Sequence, residues 1–275
     1  MKKVLAAVIQ LNAGSNKLQN IENAINLIIK AAHKGAHLIA LPELFTWQGS
    51  KKDIKQNCEP IPGPTSMKMA ELASYLKIFL LCGSILEENP KGPKPYNTSF
   101  LINPQGKIVA YYRKLHLFKV NIKGKAIIDE NRIYTAGNKV KSVVTPFGKV
   151  GFTICYDLRF PELYRSLCNK GVLTVFVPSA FTLETGKAHW ESLLRSRAIE
   201  NQVYIIAPNQ YGKNPLGNRN YGHSMIVDPW GTIIAQCTSG ERIIYGELDF
   251  KYLKKIRNEL PSLKHKRKDI FKDTI

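Results

Sequence analysis

The sequence has few cysteines and no long apolar run, and each shortage excludes a class of protein. Five cysteines in 275 residues lie far apart, show no C-x-x-C spacing and cannot all pair. This pattern argues against a disulfide scaffold or a zinc finger and favours a reducing compartment, the cytoplasm. No apolar stretch approaches the roughly 20 residues that a membrane-spanning helix needs. Without repeats or linkers, and at 44% hydrophobic residues, residues 1–275 are predicted to form a single domain with no membrane partner.

Acidic residues are also scarce, because 40 Lys and Arg face 21 Asp and Glu, giving a net charge of +19. Such an excess attracts nucleic acid or anionic surfaces whether or not biology uses it. No RNP-like aromatic run and no basic recognition helix accompanies the charge, so we predict no specific nucleic-acid partner. A solvated lysine-rich surface, or a field that draws in small anionic substrates, is favoured. A basic binding protein without catalytic activity remains the alternative from a different class. The basic residues that cluster near the end of the chain are Lys251, Lys254, Lys255, Arg257, Lys264, Lys266, Arg267 and Lys268.

Hydrophobic periodicity predicts a chain that alternates helices and strands. The predicted helices are 17–34, 66–77, 161–169, 187–201 and 250–258. The predicted strands are 3–10, 37–41, 78–86, 97–103, 107–112, 141–145, 149–154, 172–177, 203–208, 223–228, 232–236 and 242–248. Only 115–140 lacks a clear period, and a loop of that length in a compact domain is typically functional. This alternation indicates two sheets sandwiched by helices, an α/β fold.

Cys155 ends an apolar stretch and is followed at once by a polar turn that contains Asp157 and Arg159. Pro161 then has the position of a first helical residue. The pattern predicts a cysteine on a strand-to-helix turn, where nearby cations and donors lower a thiol pKa from its usual value of about 8.5. A core cysteine in a strand remains the alternative.

Two further strands end in ionisable residues. The apolar run 37–41 leads to Glu43, and the run 108–112 leads to Lys114. In open α/β layers, ligands collect at the carboxyl ends of strands. We therefore expect Glu43, Lys114 and Cys155 to converge in one pocket, although each alone has an ordinary structural explanation.

At these residues the chain resembles the nitrilase, or carbon–nitrogen hydrolase, superfamily, over about 3–268. The segments that carry the resemblance are Ala40-Leu41-Pro42-Glu43, Tyr112-Arg113-Lys114 with His116 and Phe118, Gly151 through Glu162, Pro178-Ser179-Ala180-Phe181, His189-Trp190-Glu191, Arg195 through Glu200, Tyr221-Gly222-His223-Ser224 and Asp228-Pro229-Trp230-Gly231.

The resemblance implies a four-layer αββα sandwich and a thiol amidase that needs no cofactor. Cys155 would attack the amide carbonyl and hold the acyl group as a thioester, with Glu43 as the general base. Lys114 and the backbone N–H of Tyr156 would stabilise the oxyanion. The family also carries a second glutamate after the lysine, for which Glu130 is the counterpart.

Two alternatives at this site remain open. Asp129 is adjacent to Glu130, so an alignment shifted by one residue would exchange them. A Cys-His mechanism would use a histidine such as His116, although no cysteine-protease pattern surrounds Cys155. The His and Cys positions also lack the spacing of metal ligands, so no metal is predicted.

The segments 155–163 and 221–225 look most like the branch that contains deaminated-glutathione amidase and ω-amidase. The implied substrate is a small carboxylate-bearing α-keto acid amide, with deaminated glutathione favoured because Tyr221 and Met225 lean to that side. The alternatives are an ω-amidase acting on α-ketoglutaramate or α-ketosuccinamate, and another hydrolase of the superfamily such as an N-carbamoyl amino acid amidohydrolase.

Arg159 is the predicted anchor for the substrate carboxylate, because a guanidinium matches a carboxylate in a bidentate, directional way. A structural salt bridge to Asp157 or Glu162 is the alternative. Phe181 and Thr185, in the loop after the 172–177 strand, are predicted to form the rest of the pocket.

The family commonly dimerises, so the resemblance also implies a homodimer. The tail 260–275, and within it the segment from Leu260 to Ile270, resembles segments that pack across such an interface.

Overall fold

Two six-stranded sheets lie at the centre of the computed structural model, which describes residues 3–122, 126–267 and 269–270. The strands are β1 (Val4–Gln10), β2 (Leu38–Ala40), β3 (Phe79–Glu87), β4 (Tyr96–Ile102), β5 (Ile108–Arg113), β6 (Lys119–Ile122), β7 (Ala126–Asp129), β8 (Ser142–Thr145), β9 (Gly148–Phe152), β10 (Thr174–Phe176), β11 (Tyr204–Ala207), β12 (Tyr211–Lys213), β13 (Arg219–Tyr221), β14 (Met225–Val227), β15 (Ile233–Gln236) and β16 (Arg242–Leu248). The helices are α1 (Lys17–His33), α2 (Ile54–Asn57), α3 (Pro64–Leu76), α4 (Pro161–Asn169), α5 (Leu183–Asn201) and α6 (Phe250–Glu259).

Each large sheet has parallel strands at its centre and antiparallel strands at its edges. The first sheet has the order β16-β1-β2-β3-β4-β5, with β1, β2 and β3 parallel. The second has the order β15-β14-β11-β10-β9-β8, with β9, β10 and β11 parallel. The carboxyl ends of parallel strands meet at one edge of a sheet, so the loops after β2 and β9 are held where a site can form.

Helices cover the outer face of each sheet. Along β1, Ala6 and Val8 pack in the core that the two sheets share, whereas Ala7 and Ile9 pack against α1 and α3. This alternation follows from the two-residue period of a strand. On the other side α4 and α5 pack on the second sheet, and Trp190 of α5 is fully buried, with its indole N–H donating to the His223 carbonyl at 2.8 Å. The predicted αββα sandwich is confirmed, and Trp190 belongs to its core.

Two hairpins were missing from the predicted strands. The strands β6 and β7 pair within the segment that lacked a period, and β12 pairs with β13. Both hairpins lie outside the large sheets, and their strands are only three or four residues long, which is too short for periodicity to identify them.

Helix α5 begins four residues earlier than predicted, at Leu183. Its first turn contains Gly186, which reads as a helix breaker, but a Cβ there would overlap the Tyr221 ring. The glycine therefore permits close packing inside the helix. As a consequence the predicted place of Thr185 in a loop is wrong, because it lies in the first turn of α5.

Within the described ranges, no helix is long and apolar enough to cross a membrane.

Candidate functional site

Glu43 follows β2 on a tight turn that its neighbours impose. The Leu41 N–H donates to the Leu81 carbonyl at 3.0 Å, which extends the register of the sheet to the turn. A Cβ at Gly83 would overlap the carbonyl oxygens of Leu41 and Pro42. Only glycine in β3 lets the turn approach this closely, and the Glu43 side chain is buried with 2% exposure.

The Glu43 carboxylate is held by three donors from three different segments. Oε1 accepts from Asn97 Nδ2 at 2.8 Å and from Lys114 Nζ at 2.9 Å, while Oε2 accepts from the Ala180 N–H at 2.8 Å. The backbone carbonyl of Glu43 accepts from Gln210 Nε2 at 2.9 Å. A buried carboxylate needs such partners, and together they fix its orientation.

Lys114 follows β5, and its ammonium lies between two carboxylates. Its Nζ is 2.9 Å from Glu43 Oε1 and 2.9 Å from Glu130 Oε2, with 1% of the side chain exposed. Burial alone would lower the pKa of Lys114, but Glu130 and Glu43 outweigh burial and raise it well above its usual value. Lys114 is therefore a fixed cation in this site.

Glu130 directly follows the β6–β7 hairpin, and its hydrogen bonds to Phe118 join the two ends of that hairpin. The Phe118 N–H donates to Glu130 Oε2 at 2.7 Å, and the Glu130 N–H donates to the Phe118 carbonyl at 2.9 Å. Burial raises the pKa of Glu130, and the nearby Glu43 carboxylate adds to that effect. Asp129 instead accepts from the Asn131 N–H at 3.1 Å and lies 3.5 Å from Arg132 Nε. The side chain that meets Lys114 is thus Glu130.

Cys155 begins a short 3₁₀ turn of residues Cys155–Arg159, directly before α4. Its φ is +46°, a backbone conformation that costs a non-glycine residue about 1–3 kcal/mol and is typical of functional sites. The Cys155 N–H donates to the Pro178 carbonyl at 3.0 Å, and the residue is 8% exposed.

The expected lowering of the Cys155 pKa is wrong. Burial raises the pKa of the thiol well above its usual value, and the Glu43 carboxylate raises it further. Lys114 and the Ala180 N–H act in the opposite direction without outweighing them. The thiol is therefore protonated at neutral pH and needs a base in order to react.

Asp157 was not among the predicted site residues, although its carboxylate is fully buried beneath the turn. It accepts from the Tyr112 hydroxyl at 2.6 Å, from the Ile154 N–H at 2.9 Å, and from the His116 N–H and Nδ1 at 3.0 and 2.7 Å. The available signal was its position two residues after Cys155, with Tyr112 and His116 two residues on either side of Lys114.

The His116 ring is hydrogen-bonded to the Asp157 carboxylate, and it stacks on the Phe160 ring with ring centroids 3.6 Å apart. Both contacts assign the imidazole to the support of the turn, which leaves the Cys-His alternative without a geometric basis. Among the described residues, no group of three or more His, Cys, Asp and Glu side chains is arranged to hold a metal ion.

Arg159 is half-buried and lies among aromatic side chains. Its guanidinium carbon is 5.4 Å from the Phe181 ring centroid and 5.9 Å from the Tyr156 centroid, and Nη1 is 3.3 Å from His189 Nδ1. Over the part of the chain that the structure describes, no carboxylate lies within 4.0 Å of this guanidinium. The salt bridge to Asp157 or Glu162 that was left open is absent there.

Phe181 and Thr185 are the remaining predicted pocket residues. Phe181 follows Ala180, whose N–H binds Glu43, and its ring is 5.0 Å from that of Trp190. Thr185 bonds Thr182 through their hydroxyls at 2.7 Å, near the start of α5. The structure therefore brings Phe181 close to the Glu43 carboxylate, whereas the Thr185 hydroxyl bonds to the residue that directly precedes α5.

Comparison with known proteins shows the family of the chain. Residues 5–258 match the carbon–nitrogen hydrolase family. The chain belongs to this family. It is therefore a hydrolase that acts on carbon–nitrogen bonds other than peptide bonds.

Two named activities occur among the relatives of this hydrolase. It is 38% identical over 265 residues to omega-amidase NIT2 of Homo sapiens, covering 96% of this chain and 95% of the relative. It is 39% identical over 269 residues to the deaminated glutathione amidase of a Synechocystis strain, covering 97% and 99%. The solved NitFhit protein of C. elegans is 37% identical, with a TM-score of 0.89 over 98% of this chain and 66% of that longer chain.

The charges around Cys155 predict how its titration responds to substitution. Glu130 is among the carboxylates that raise the pKa of the thiol, so Glu130→Gln removes a negative charge and lowers that pKa. Because the thiolate is the nucleophile, the rate of alkylation by iodoacetamide then rises at lower pH than in the unsubstituted hydrolase.

Asp129→Asn is the matched control for this experiment, since that neighbouring carboxylate faces Asn131 and Arg132. Its alkylation profile should overlay the unsubstituted one. A profile that shifts with Asp129→Asn and not with Glu130→Gln would contradict the assignment of Glu130 to the site.

Proposed function

We propose that the chain is a thiol amidase that hydrolyses a small α-keto acid amide through a thioester on Cys155. The observation that carries this proposal is a buried ammonium held between Glu43 and Glu130, beside a protonated thiol. A neutral thiol beside a carboxylate and a fixed cation supplies a nucleophile, a base and an oxyanion partner at one place.

In the first half-reaction the Cys155 sulfur attacks the amide carbonyl carbon while Glu43 takes the thiol proton. The Ala180 N–H supports this transfer, because it donates to Glu43 Oε2 at 2.8 Å and so orients the base. Lys114 and the Tyr156 N–H stabilise the oxyanion. Collapse of the tetrahedral intermediate breaks the carbon–nitrogen bond, and Glu43 returns the proton to the departing nitrogen.

In the second half-reaction water replaces the amine. Glu43 takes a proton from the water as its oxygen attacks the thioester carbon, and Lys114 again stabilises the oxyanion. Breaking the carbon–sulfur bond releases the carboxylic acid, and the proton returns to Cys155. Glu130 keeps the Lys114 ammonium charged and in place throughout, through the contact at 2.9 Å.

Arg159 supports a substrate that carries a carboxylate. A half-buried guanidinium without a carboxylate partner in the described ranges, beside the Tyr156 and Phe181 rings, is ready to bind one in a bidentate manner. Phe181 and Thr185 would complete the pocket. Among such substrates we favour deaminated glutathione.

The named activities of the relatives leave a second candidate, an ω-amidase acting on α-ketoglutaramate or α-ketosuccinamate. An N-carbamoyl amino acid amidohydrolase would use the same three side chains. Purified protein assayed against deaminated glutathione, α-ketoglutaramate, a carbamoyl β-amino acid and a simple nitrile separates these activities. Salt-sensitive retention of nucleic acid with no turnover of any of them would support a binding protein instead.

We also infer a cytoplasmic enzyme that acts as a homodimer. All five cysteines are free thiols, which suits a reducing compartment. Leu260 and Ile270 are 50% and 59% exposed, as expected for apolar side chains of a tail that a partner covers. Residues 268 and 271–275 of the proposed interface tail 260–275 lie outside the described residues. Sedimentation velocity of the chain with and without residues 260–275 tests this point.

Replacing the nucleophile tests the thioester route. Cys155→Ala should abolish hydrolysis while the melting temperature changes little, because the residue lies in a turn at the edge of the core. Cys58→Ser is the matched control, since serine can keep the bond that Cys58 Sγ donates to the Ile54 carbonyl at 3.1 Å. Turnover by Cys155→Ala near the unsubstituted rate would rule out the mechanism.

Replacing Arg159, the proposed anchor for the substrate carboxylate, tests the substrate class. Arg159→Lys keeps the charge and loses the planar fork, so KM should rise about tenfold or more for keto-acid amides, corresponding to roughly 1.4 kcal/mol of binding. The value of kcat, and the kinetics on amides without that carboxylate, should change little. Arg195→Lys, on the exposed face of α5, is the control. Equal losses on charged and uncharged amides would show that Arg159 has a structural role only.

A further inference from the structure

The buried Asp157 carboxylate joins the turn that carries Cys155 to the strand end that carries Lys114. Oδ2 accepts from the Ile154 N–H at 2.9 Å and from the Tyr112 hydroxyl at 2.6 Å. Oδ1 accepts from His116, through its N–H at 3.0 Å and its Nδ1 at 2.7 Å. One side chain therefore holds the residue before the nucleophile and the residues on both sides of the lysine.

We propose that Asp157 is a positioning residue that fixes the Cys155 thiol relative to the Lys114 ammonium. The inference rests on the proposed thioester mechanism, in which the carbonyl oxygen must meet Lys114 while its carbon meets the sulfur. A displacement of about 1 Å between such groups can cost about 10²-fold in rate.

The backbone of the turn explains why a clamp is needed. Cys155 has a φ of +46°, and such strain persists only where the surroundings over-determine it. The Asp157 N–H also donates to the Ile154 carbonyl at 3.0 Å, so main chain and side chain of Asp157 close a ring around Cys155. The Cys155 N–H bond to the Pro178 carbonyl constrains the turn from the second sheet.

The partners of the clamp are themselves rigid. Tyr112 is 1% exposed within β5, and its pKa is raised well above the usual value by burial and by Asp157, so the phenol remains a donor. The His116 ring stacks on Phe160 at the start of α4, with centroids 3.6 Å apart. The carboxylate is thus connected to β5 and to the first turn of α4 at once.

Asp157→Asn tests the proposal. The substitution replaces one carboxylate oxygen, which accepts hydrogen bonds from two donors, with an NH2 group that is itself a donor. We expect kcat to fall about 10²-fold while KM stays within about twofold, since Arg159 is untouched. The rate of inactivation by iodoacetamide at Cys155 should fall together with kcat. Asp228→Asn is the matched control: this buried carboxylate accepts from the Trp230 and Thr232 N–H groups at 2.8 and 2.9 Å in a turn remote from the site. It should lower the melting temperature and leave kcat unchanged.

Tyr112→Phe removes the hydroxyl that donates to Asp157, and this variant tests the proposal if Asp157→Asn does not fold. We expect a smaller loss of kcat, about tenfold, at unchanged KM. In the double variant the two losses should be less than multiplicative, because both break the same contact.

The outcomes separate this inference from the proposed function. If Asp157→Asn and Tyr112→Phe lower only the melting temperature and keep kcat, Asp157 is structural and the proposal fails. If Cys155→Ala retains turnover, the thioester mechanism itself fails. An inactive Cys155→Ala together with a fully active Asp157→Asn would overturn the positioning role alone.

Discussion

The site depends on one buried cation, the Lys114 ammonium, and on the two carboxylates that hold it. A lone ammonium at 1% exposure would lose its proton or disrupt the fold, so Glu43 and Glu130 are required for it to remain charged. Removing one partner of a buried ion pair typically costs about 3–5 kcal/mol. Replacing Lys114 would leave two buried carboxylates without their cation, so the loss of this lysine disturbs the fold as well as the site.

This charge cluster also determines how the thiol works. Burial and the Glu43 carboxylate both raise the pKa of the Cys155 thiol, so the resting site favours the neutral thiol over the thiolate. In the mechanism that we propose, the proton leaves only during attack on the carbonyl, when the oxyanion faces Lys114. Asp157 belongs to this arrangement because it connects the turn of Cys155 with the strand end of Lys114.

Much of this architecture was predictable from local pattern. The αββα sandwich followed from periodic elements together with the family motifs, and Glu43, Lys114 and Cys155 each stood at the end of an apolar run. What local pattern missed depends on contacts between distant segments. The strands of the β6–β7 hairpin are only four residues long, and the Tyr221 ring packs so closely on helix α5 that only glycine fits at position 186. The direction of the Cys155 pKa also depended on burial and on a carboxylate 112 residues earlier in the chain.

The net charge of the chain is another feature that could not be interpreted from sequence alone. The net charge of +19 suggested a positive field that attracts anions. The residue that we propose as the carboxylate anchor is instead a single half-buried arginine, Arg159, in the turn after Cys155. Arg159 is distinguished by its surroundings, two aromatic rings and no carboxylate within reach in the described residues, and composition carries no information on surroundings.

If hydrolysis passes through an acyl group on Cys155, as we propose, then partitioning of that acyl group between water and hydroxylamine reveals it. The enzyme is given α-ketoglutaramate, or the γ-methyl ester of the same keto acid, in the presence of hydroxylamine. The ratio of hydroxamate to free acid is then measured for each. A common thioester predicts the same ratio from both substrates, because the leaving group has departed before hydroxylamine and water compete. Ratios that differ with the leaving group would rule out a common thioester on Cys155.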